Sequence, residues 1–172
     1  MDWPAMTKKI DVEVSTLLDK LVTELTPLLP NNPLIIGIHT GGSWLAEILH
    51  HRLAINEACG SLDISFYRDD FSRIGLNPQV KASDLPRDVS ERQILLVDDV
   101  LHTGRTIRAA MNEIFDYGRP ASIKLCVLVE RNGRELPIQA DYCGMNLELR
   151  PEQHVKLSGP ENLSLLIEDS KS

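Results

Sequence analysis

The stretch Leu95-Leu96-Val97-Asp98-Asp99-Val100-Leu101-His102-Thr103-Gly104-Arg105-Thr106-Ile107 sets two adjacent carboxylates at the end of an apolar run, with a Thr/Gly turn directly after them. A buried strand of this kind delivers Asp98 and Asp99 to the carboxyl end of a sheet, where open α/β sheets bind ligands. The turn feeds a helix whose first N–H groups have no intrahelical partner, and these groups, helped by the helix dipole, suit a phosphate. Gly104 lets the backbone approach such an anion closely, and the hydroxyls of Thr103 and Thr106 add donors. Two carboxylates beside a phosphate would repel it unless they faced something else, such as sugar hydroxyls or a magnesium ion. Phosphate at one end and a polyol at the other describe a phosphorylated ribose. A bare Asp-Asp pair more often caps a surface turn; the strand before it and Thr-Gly-Arg-Thr after it favour a ligand. No GxxxxGK[ST] is present, so the string is not a P-loop.

The surrounding pattern predicts the elements that hold this string. Val14, Leu17, Leu18, Leu21, Val22, Leu25, Leu28 and Leu29 fall at helical spacing between Asp11 and Leu29, with Pro30 and Asn31-Asn32-Pro33 as the stop. Leu34–Ile38 reads as a strand buried on both faces. It is followed by Gly41-Gly42 and by a helix to about Leu53, capped by Ser43 and facing inward with Trp44, Leu45, Ile48 and Leu49. Asp63–Tyr67 alternates as a strand does, and the polar stretch from Arg68 to about Ser90 is a candidate flexible active-site loop. Ile94–Val97 and Ile123–Val129 read as further buried strands. Between them runs a helix with Ile107, Ala110, Met111, Ile114 and Phe115 inward, closed by Gly118-Arg119-Pro120. Shorter strands are expected around Ala140–Cys143, His154–Leu157 and Ser164–Ile167. Alternating strands and helices imply an α/β fold with a mainly parallel central sheet flanked by helices.

The 172 residues suit a single domain, 1–172. A hydrophobic share of 42% and a charged share of 25% are those of a chain that buries a core. The formal charge of -7 argues against binding nucleic acid through a global basic field, though not against a local basic face. Cys59, Cys126 and Cys143 lie at wide spacing that suggests neither a disulfide framework nor a CxxC metal site, in keeping with free thiols in a reducing cytoplasm. No signal peptide and no run of roughly 20 apolar residues is seen, so no membrane is expected.

Asp98 to Thr106 resembles the 5-phosphoribosyl 1-diphosphate (PRPP) signature of type I phosphoribosyltransferases. Further blocks extend the likeness: Phe66-Tyr67-Arg68-Asp69-Asp70, Val97 to Arg108, Gly118-Arg119-Pro120, and Arg134-Glu135-Leu136-Pro137-Ile138 with Ala140-Asp141-Tyr142. In order and spacing, from about Asp11 to beyond Gly144, these resemble the pyrimidine operon attenuator and uracil phosphoribosyltransferase family, PyrR. The resemblance implies a type I phosphoribosyltransferase fold and Mg²⁺-dependent conversion of uracil and PRPP to UMP and pyrophosphate. It also implies a homo-oligomer, dimer or larger, and in many members a second role in binding pyrimidine-operon messenger RNA.

By matching position, Asp98 and Asp99 would hold the ribose hydroxyls directly or through Mg²⁺, with Arg68 as the further catalytic residue. Val97, Val100, Leu101, His102, Thr103, Gly104, Arg105 and Thr106 would form the PRPP site, the last six wrapping the 5-phosphate. Thr40, Gly41 and Gly42 would receive the pyrophosphate and Arg73 would close over it. His39-Thr40-Gly41-Gly42 stands where the family usually has Lys-Thr-Arg-Gly, although a twin glycine is common in other type I enzymes. Base recognition is expected near Val129, Glu130 and Arg131, largely through backbone groups. The family's RNA face joins the first helix to the segment around Arg134. Here that helix offers only Lys20 against Asp11, Glu13, Asp19 and Glu24, and the later basic positions read Gly133, Gln139 and Met145. RNA affinity draws on cations at phosphates, so an enzyme that has lost RNA binding is the leading expectation. A UMP-sensing RNA regulator is the alternative, with a purine-specific phosphoribosyltransferase behind it.

Overall fold

A computed structural model of the chain describes residues 6–64, 83–85 and 88–170. Arg68, Arg73, Lys81 and the block Phe66–Asp70 lie outside the described residues, as does most of the expected active-site loop.

A five-stranded sheet forms the centre. Its strands are β2 (Leu34–Ile38), β3 (Gly60–Leu62), β4 (Gln93–Leu101), β5 (Ser122–Arg131) and β6 (Tyr142–Leu147), in the order β3-β2-β4-β5-β6. Every pairing is parallel. Gly37 pairs with Val97, Val97 with Cys126 and Cys126 with Tyr142, so the carboxyl ends of β2 and β4 lie side by side. A three-stranded antiparallel sheet, β1-β8-β7, is built from β1 (Thr7–Lys9), β7 (Gln153–Ser158) and β8 (Ser164–Asp169).

Alternation along β4 sends Leu95 and Val97 to one face and Ile94 and Leu96 to the other. On the first face α1 (Val14–Leu25) and α2 (Gly41–Arg52) cover the sheet, and Leu157 and Leu165 of the antiparallel sheet join the same core. On the second, α3 (Arg105–Asp116) lays down Ile107, Ala110 and Ile114. With both faces covered, the strands are near-continuous apolar runs, the signature of buried parallel sheets.

Several boundaries differ from expectation. The first helix ends at Leu25, and Thr26–Asn31 tightens into a 3-10 helix, because Pro27 and Pro30 have no N–H for the α-helical ladder. Ser43 does not cap α2; it sits inside the first turn and its hydroxyl lies 3.5 Å from the Gly37 carbonyl. Phe115 is not on the inner side of α3 but 56% exposed. β4 runs to Leu101, so Asp98 and Asp99 belong to the strand itself. Of the expected Asp63–Tyr67 strand, Asp63 and Ile64 follow directly on β3 without belonging to it and residues 65–67 lie outside the described residues, and β1 had no sequence counterpart. No described helix is long and apolar enough to cross a membrane.

Candidate active site

Two turns meet at the carboxyl edge of β2 and β4. The first, His39-Thr40 with a cis peptide bond, leads straight into α2 at Gly41. An added Cβ on Gly41 would stand 2.5 Å from Asp99 Oδ2, and one on Gly42 would stand 2.5 Å from the Val97 carbonyl and 3.0 Å from Asp98 Cα. The twin glycine is therefore a close-approach device: it lets the start of α2 rest on the acidic end of β4. Gly37 serves the same packing from β2, since its Cβ would meet the Gly42 carbonyl at 2.7 Å.

Asp98 is almost fully buried, and its Oδ1 accepts the Asp99 N–H at 2.8 Å. Asp99 is half-buried; its Oδ1 accepts the Val100 N–H at 2.8 Å, while Oδ2 faces Gly41. These bonds fix both carboxylates against the backbone of their own strand. The side chains of Val97 and Leu101 are buried and Val100 packs against the core, so these three position the acids and the turn from below.

The second turn runs from Leu101 into α3. Gly104 occupies the N-cap position at φ 95, a left-handed conformation open to glycine. Thr103 Oγ1 accepts the Arg105 N–H at 3.2 Å, and the first α-helical bond runs from the Arg108 N–H to the Gly104 carbonyl at 3.0 Å. Arg105 is exposed and 3.7 Å from Glu135, and Thr106 is half-buried at the start of the helix. The His102 ring lies against Gly133. Burial, together with the nearby charges of Arg131 and His154, depresses its pKa from the ordinary histidine value, and Glu135 opposes the shift.

The residues expected near the base divide. Val129 is wholly buried in the core. Arg131 is also buried, its guanidinium donating to the carbonyls of Asn132 at 3.2 Å and Gln153 at 2.5 Å, with burial lowering its pKa. Both side chains are committed inside the protein, which leaves their backbone for recognition. Glu130 instead lines a polar cleft of about 340 Å³ with Asn132, Arg134, Gln139, Asn146 and Glu148. A slightly larger apolar cleft, about 380 Å³ between Trp44, Ile48 and Pro160, lies on the outer side of α2 and touches neither acid.

Sequence reasoning missed the segment 132–138, which runs behind the second turn. The Glu135 and Leu136 N–H groups donate to the Thr103 carbonyl at 3.0 and 3.1 Å. The segment's sequence signals were the Arg134–Ile138 block, which the family resemblance marked without a role at this turn, and the Asn132-Gly133 dipeptide, a turn marker with Gly133 at φ 106.

Among the described residues no group of three or more His, Cys, Asp or Glu side chains converges as a metal cage. That arrangement still fits Mg²⁺, which keeps several waters and is bound through one or two carboxylates plus substrate oxygens.

Residues 7–159 match the family described as "Phosphoribosyl transferase domain". The chain is 53% identical over 165 residues to the "Bifunctional protein PyrR" of Nitrosococcus oceani, covering 92% of this chain and 93% of that protein. It is 55% identical over 133 residues to the protein of the same name from Pseudomonas aeruginosa, covering 77% and 78%. Among solved structures, a hypoxanthine phosphoribosyltransferase from Staphylococcus aureus superposes with a TM-score of 0.65 at 20% identity, covering 96% of this chain and 93% of that one. A purine phosphoribosyltransferase from Pyrococcus horikoshii does so with a TM-score of 0.60 at 22% identity, covering 86% and 93%. At such identities the structures speak for the fold alone, while the sequence matches span most of both chains: this chain belongs to the PyrR family, within the type I phosphoribosyltransferases.

Proposed function

We propose that the protein transfers the phosphoribosyl group of PRPP to uracil, giving UMP and pyrophosphate, with catalysis rather than RNA binding as its main activity. The observation that carries this reading is the contact between Gly41-Gly42 and Asp98-Asp99, with the start of α3 beside it. It gathers into one edge the three things a phosphorylated, pyrophosphorylated ribose requires.

In this reading the N–H groups at Gly104 and Thr106 and the hydroxyls of Thr103 and Thr106 hold the 5-phosphate, with the Arg105 N–H orienting the Thr103 hydroxyl. The hydroxyls at C2 and C3 of the ribose face the carboxylates of Asp98 and Asp99. The start of α2, from Thr40 to Gly42, offers backbone N–H groups to the pyrophosphate. As the bond from C1 to the pyrophosphate oxygen stretches, positive charge grows on the sugar, and carboxylates fixed in advance by the Asp99 and Val100 N–H bonds stabilise it without reorganising. Asp98 and Asp99 would also hold Mg²⁺, which would supply neutralisation of the leaving group's charge. Arg68 and Arg73 are proposed as further donors to pyrophosphate by matching position. Glu130, with backbone from Val129 to Arg131, is the proposed base-reading end.

The reading treats the 172 residues as one phosphoribosyltransferase domain, supported by the shared core that ties Leu157 and Leu165 to α2. Its test is a product assay with PRPP, Mg²⁺ and a panel of uracil, hypoxanthine, guanine and adenine. UMP formation by the wild type, and its loss in Asp98→Asn/Asp99→Asn, is expected; turnover of a purine in preference to uracil, or no product from any base, overturns it.

A second reading is favoured by one observation, the name that the relatives share, which describes them as bifunctional. In that reading the protein binds pyrimidine-operon leader RNA under control of UMP. A gel shift against such a leader, with and without UMP, separates the two.

A further inference from the structure

Segment 132–138 forms a strap behind the turn that starts α3, and the strap is pinned along its length. At its beginning the Asn132 side chain bonds twice to one residue: Nδ2 donates to the Leu149 carbonyl at 2.9 Å, and Oδ1 accepts the Leu149 N–H at 2.8 Å. The Asn132 N–H donates to the Leu147 carbonyl at 3.2 Å. The amide thus acts as one more rung between the end of β5 and the chain beyond β6. One residue on, Gly133 rests on the His102 ring, where an added Cβ would stand 2.9 Å from Nε2. The N–H groups of Glu135 and Leu136 then converge on the Thr103 carbonyl, and the side chains of Leu136 and Ile138 back Gly104.

Two donors on one carbonyl fix the plane of its peptide unit. In a trans peptide the C=O and the following N–H point opposite ways. Holding the Thr103 carbonyl on the strap therefore turns the Gly104 N–H away from the strap, to the side where the turn opens. We propose that Asn132 is a positioning residue for the phosphate turn: its paired bonds to Leu149 set the strap, and the strap aims the Gly104 N–H at the bound 5-phosphate. The functional half of this inference rests on the proposed reading of the turn as a 5-phosphate site; the mechanical half does not.

Asn132 is exposed, so its variants are expected to fold. Asn132→Asp keeps the shape and sets a carboxylate oxygen against the Leu149 carbonyl; Asn132→Ala removes both bonds. In the full chain, amide hydrogen exchange at Gly104, Glu135 and Leu136 should rise about tenfold in both, while that of Ile94–Val97 stays as in the wild type. In steady-state assays KM for PRPP should rise about tenfold with kcat within about twofold and KM for uracil unchanged. Glu135→Pro deletes one of the two donors to Thr103 from a different residue and should give the same rise in exchange at Gly104 and Leu136 and the same rise in KM for PRPP, which keeps the test available if the Asn132 variants do not fold.

Wild-type exchange at the turn in these variants, or faster exchange with unaltered KM for PRPP, overturns the inference. A wild type that transfers phosphoribosyl to no base overturns the proposed function, and exchange at Gly104 then still decides whether Asn132 sets the turn.

Discussion

At Gly41 and Gly42 the same added methyl group would have two different effects, because it would meet two different kinds of neighbour. On Gly41 it meets the Asp99 carboxylate, 2.5 Å from Oδ2 and 3.0 Å from Cγ, the end of a side chain that can swing aside. Swinging breaks the Oδ1 bond to the Val100 N–H and moves the carboxylate away from the place proposed for the ribose. Gly41→Ala should therefore raise KM for PRPP by about tenfold or more while costing less than about 1 kcal/mol of stability. On Gly42 the methyl meets the Val97 carbonyl and Asp98 Cα, backbone that cannot rotate away. Gly42→Ala should cost roughly 1–3 kcal/mol in denaturant unfolding. Equal stability loss in the two variants would show that the contact is softer than the geometry states. His102 adds a pH dependence. Its folded pKa is depressed, chiefly by burial and then by Arg131 and His154. Below the unfolded value of about 6.5 the unfolded chain takes up its proton first, so stability falls as pH drops through that region and stops falling once native His102 is protonated. His102→Gln should flatten this part of the stability profile; an unchanged slope just below about pH 6.5 would place its origin elsewhere.

The elements were legible where periodicity was strong and obscure where it was broken. β2, β4 and β5 announce themselves as apolar runs because both of their faces are covered, and the Asp98-Asp99 pair was visible because it ends such a run. Helical spacing carried the first helix too far, since Leu28 and Leu29 keep the period while Pro27 and Pro30 change the hydrogen bonding to a 3-10 pattern. Phe115 was misread because apolar type suggested burial, whereas Ile107, Ala110 and Ile114 already fill the inward stripe of α3. This correction has a measurable consequence. Ile114→Ala, at a wholly buried position, should cost about 2–5 kcal/mol, while Phe115→Ala should stay within about 0.5 kcal/mol of the wild type. Comparable losses from the two substitutions would mean that Phe115 is covered in solution. The role of the Asn132 strap was not legible even though Arg134–Ile138 stood out as a block, because the bonds that hold it, from the Asn132 amide to Leu149 and from the Glu135 and Leu136 N–H groups to Thr103, join segments far apart in the chain, and spacing along the sequence does not report them.

At the scale of the whole molecule, α1 packs against β6, so the first helix and the segment beyond Arg134 do share a surface, and its charge can be read directly. Asp11 and Glu13 just before the helix and Asp19 and Glu24 on it are exposed. Lys20, the only cation between Asp11 and Leu29, donates to the carbonyls of Cys143 at 2.7 Å and Gly144 at 3.4 Å and stands 3.7 Å from Glu24. Arg52 reaches the same surface but lies 2.6 Å from Asp19. Beyond β5, Arg134 is exposed while Gln139 and Met145 stand where cations would extend the face. Each phosphate neutralised on a single-stranded RNA contributes a slope of roughly -0.7 to the dependence of log affinity on log salt. With Arg134 as its principal available cation, this face should bind leader RNA weakly, with a slope no steeper than about -1.5. Gln139→Arg/Met145→Lys would add two cations at exposed or half-buried positions and should steepen the slope by about 1.4. Filter binding at several salt concentrations measures both numbers. Tight wild-type binding with a slope of about -3 or beyond would mean that cations elsewhere on the protein engage the RNA, and the regulatory reading would then stand beside the catalytic one.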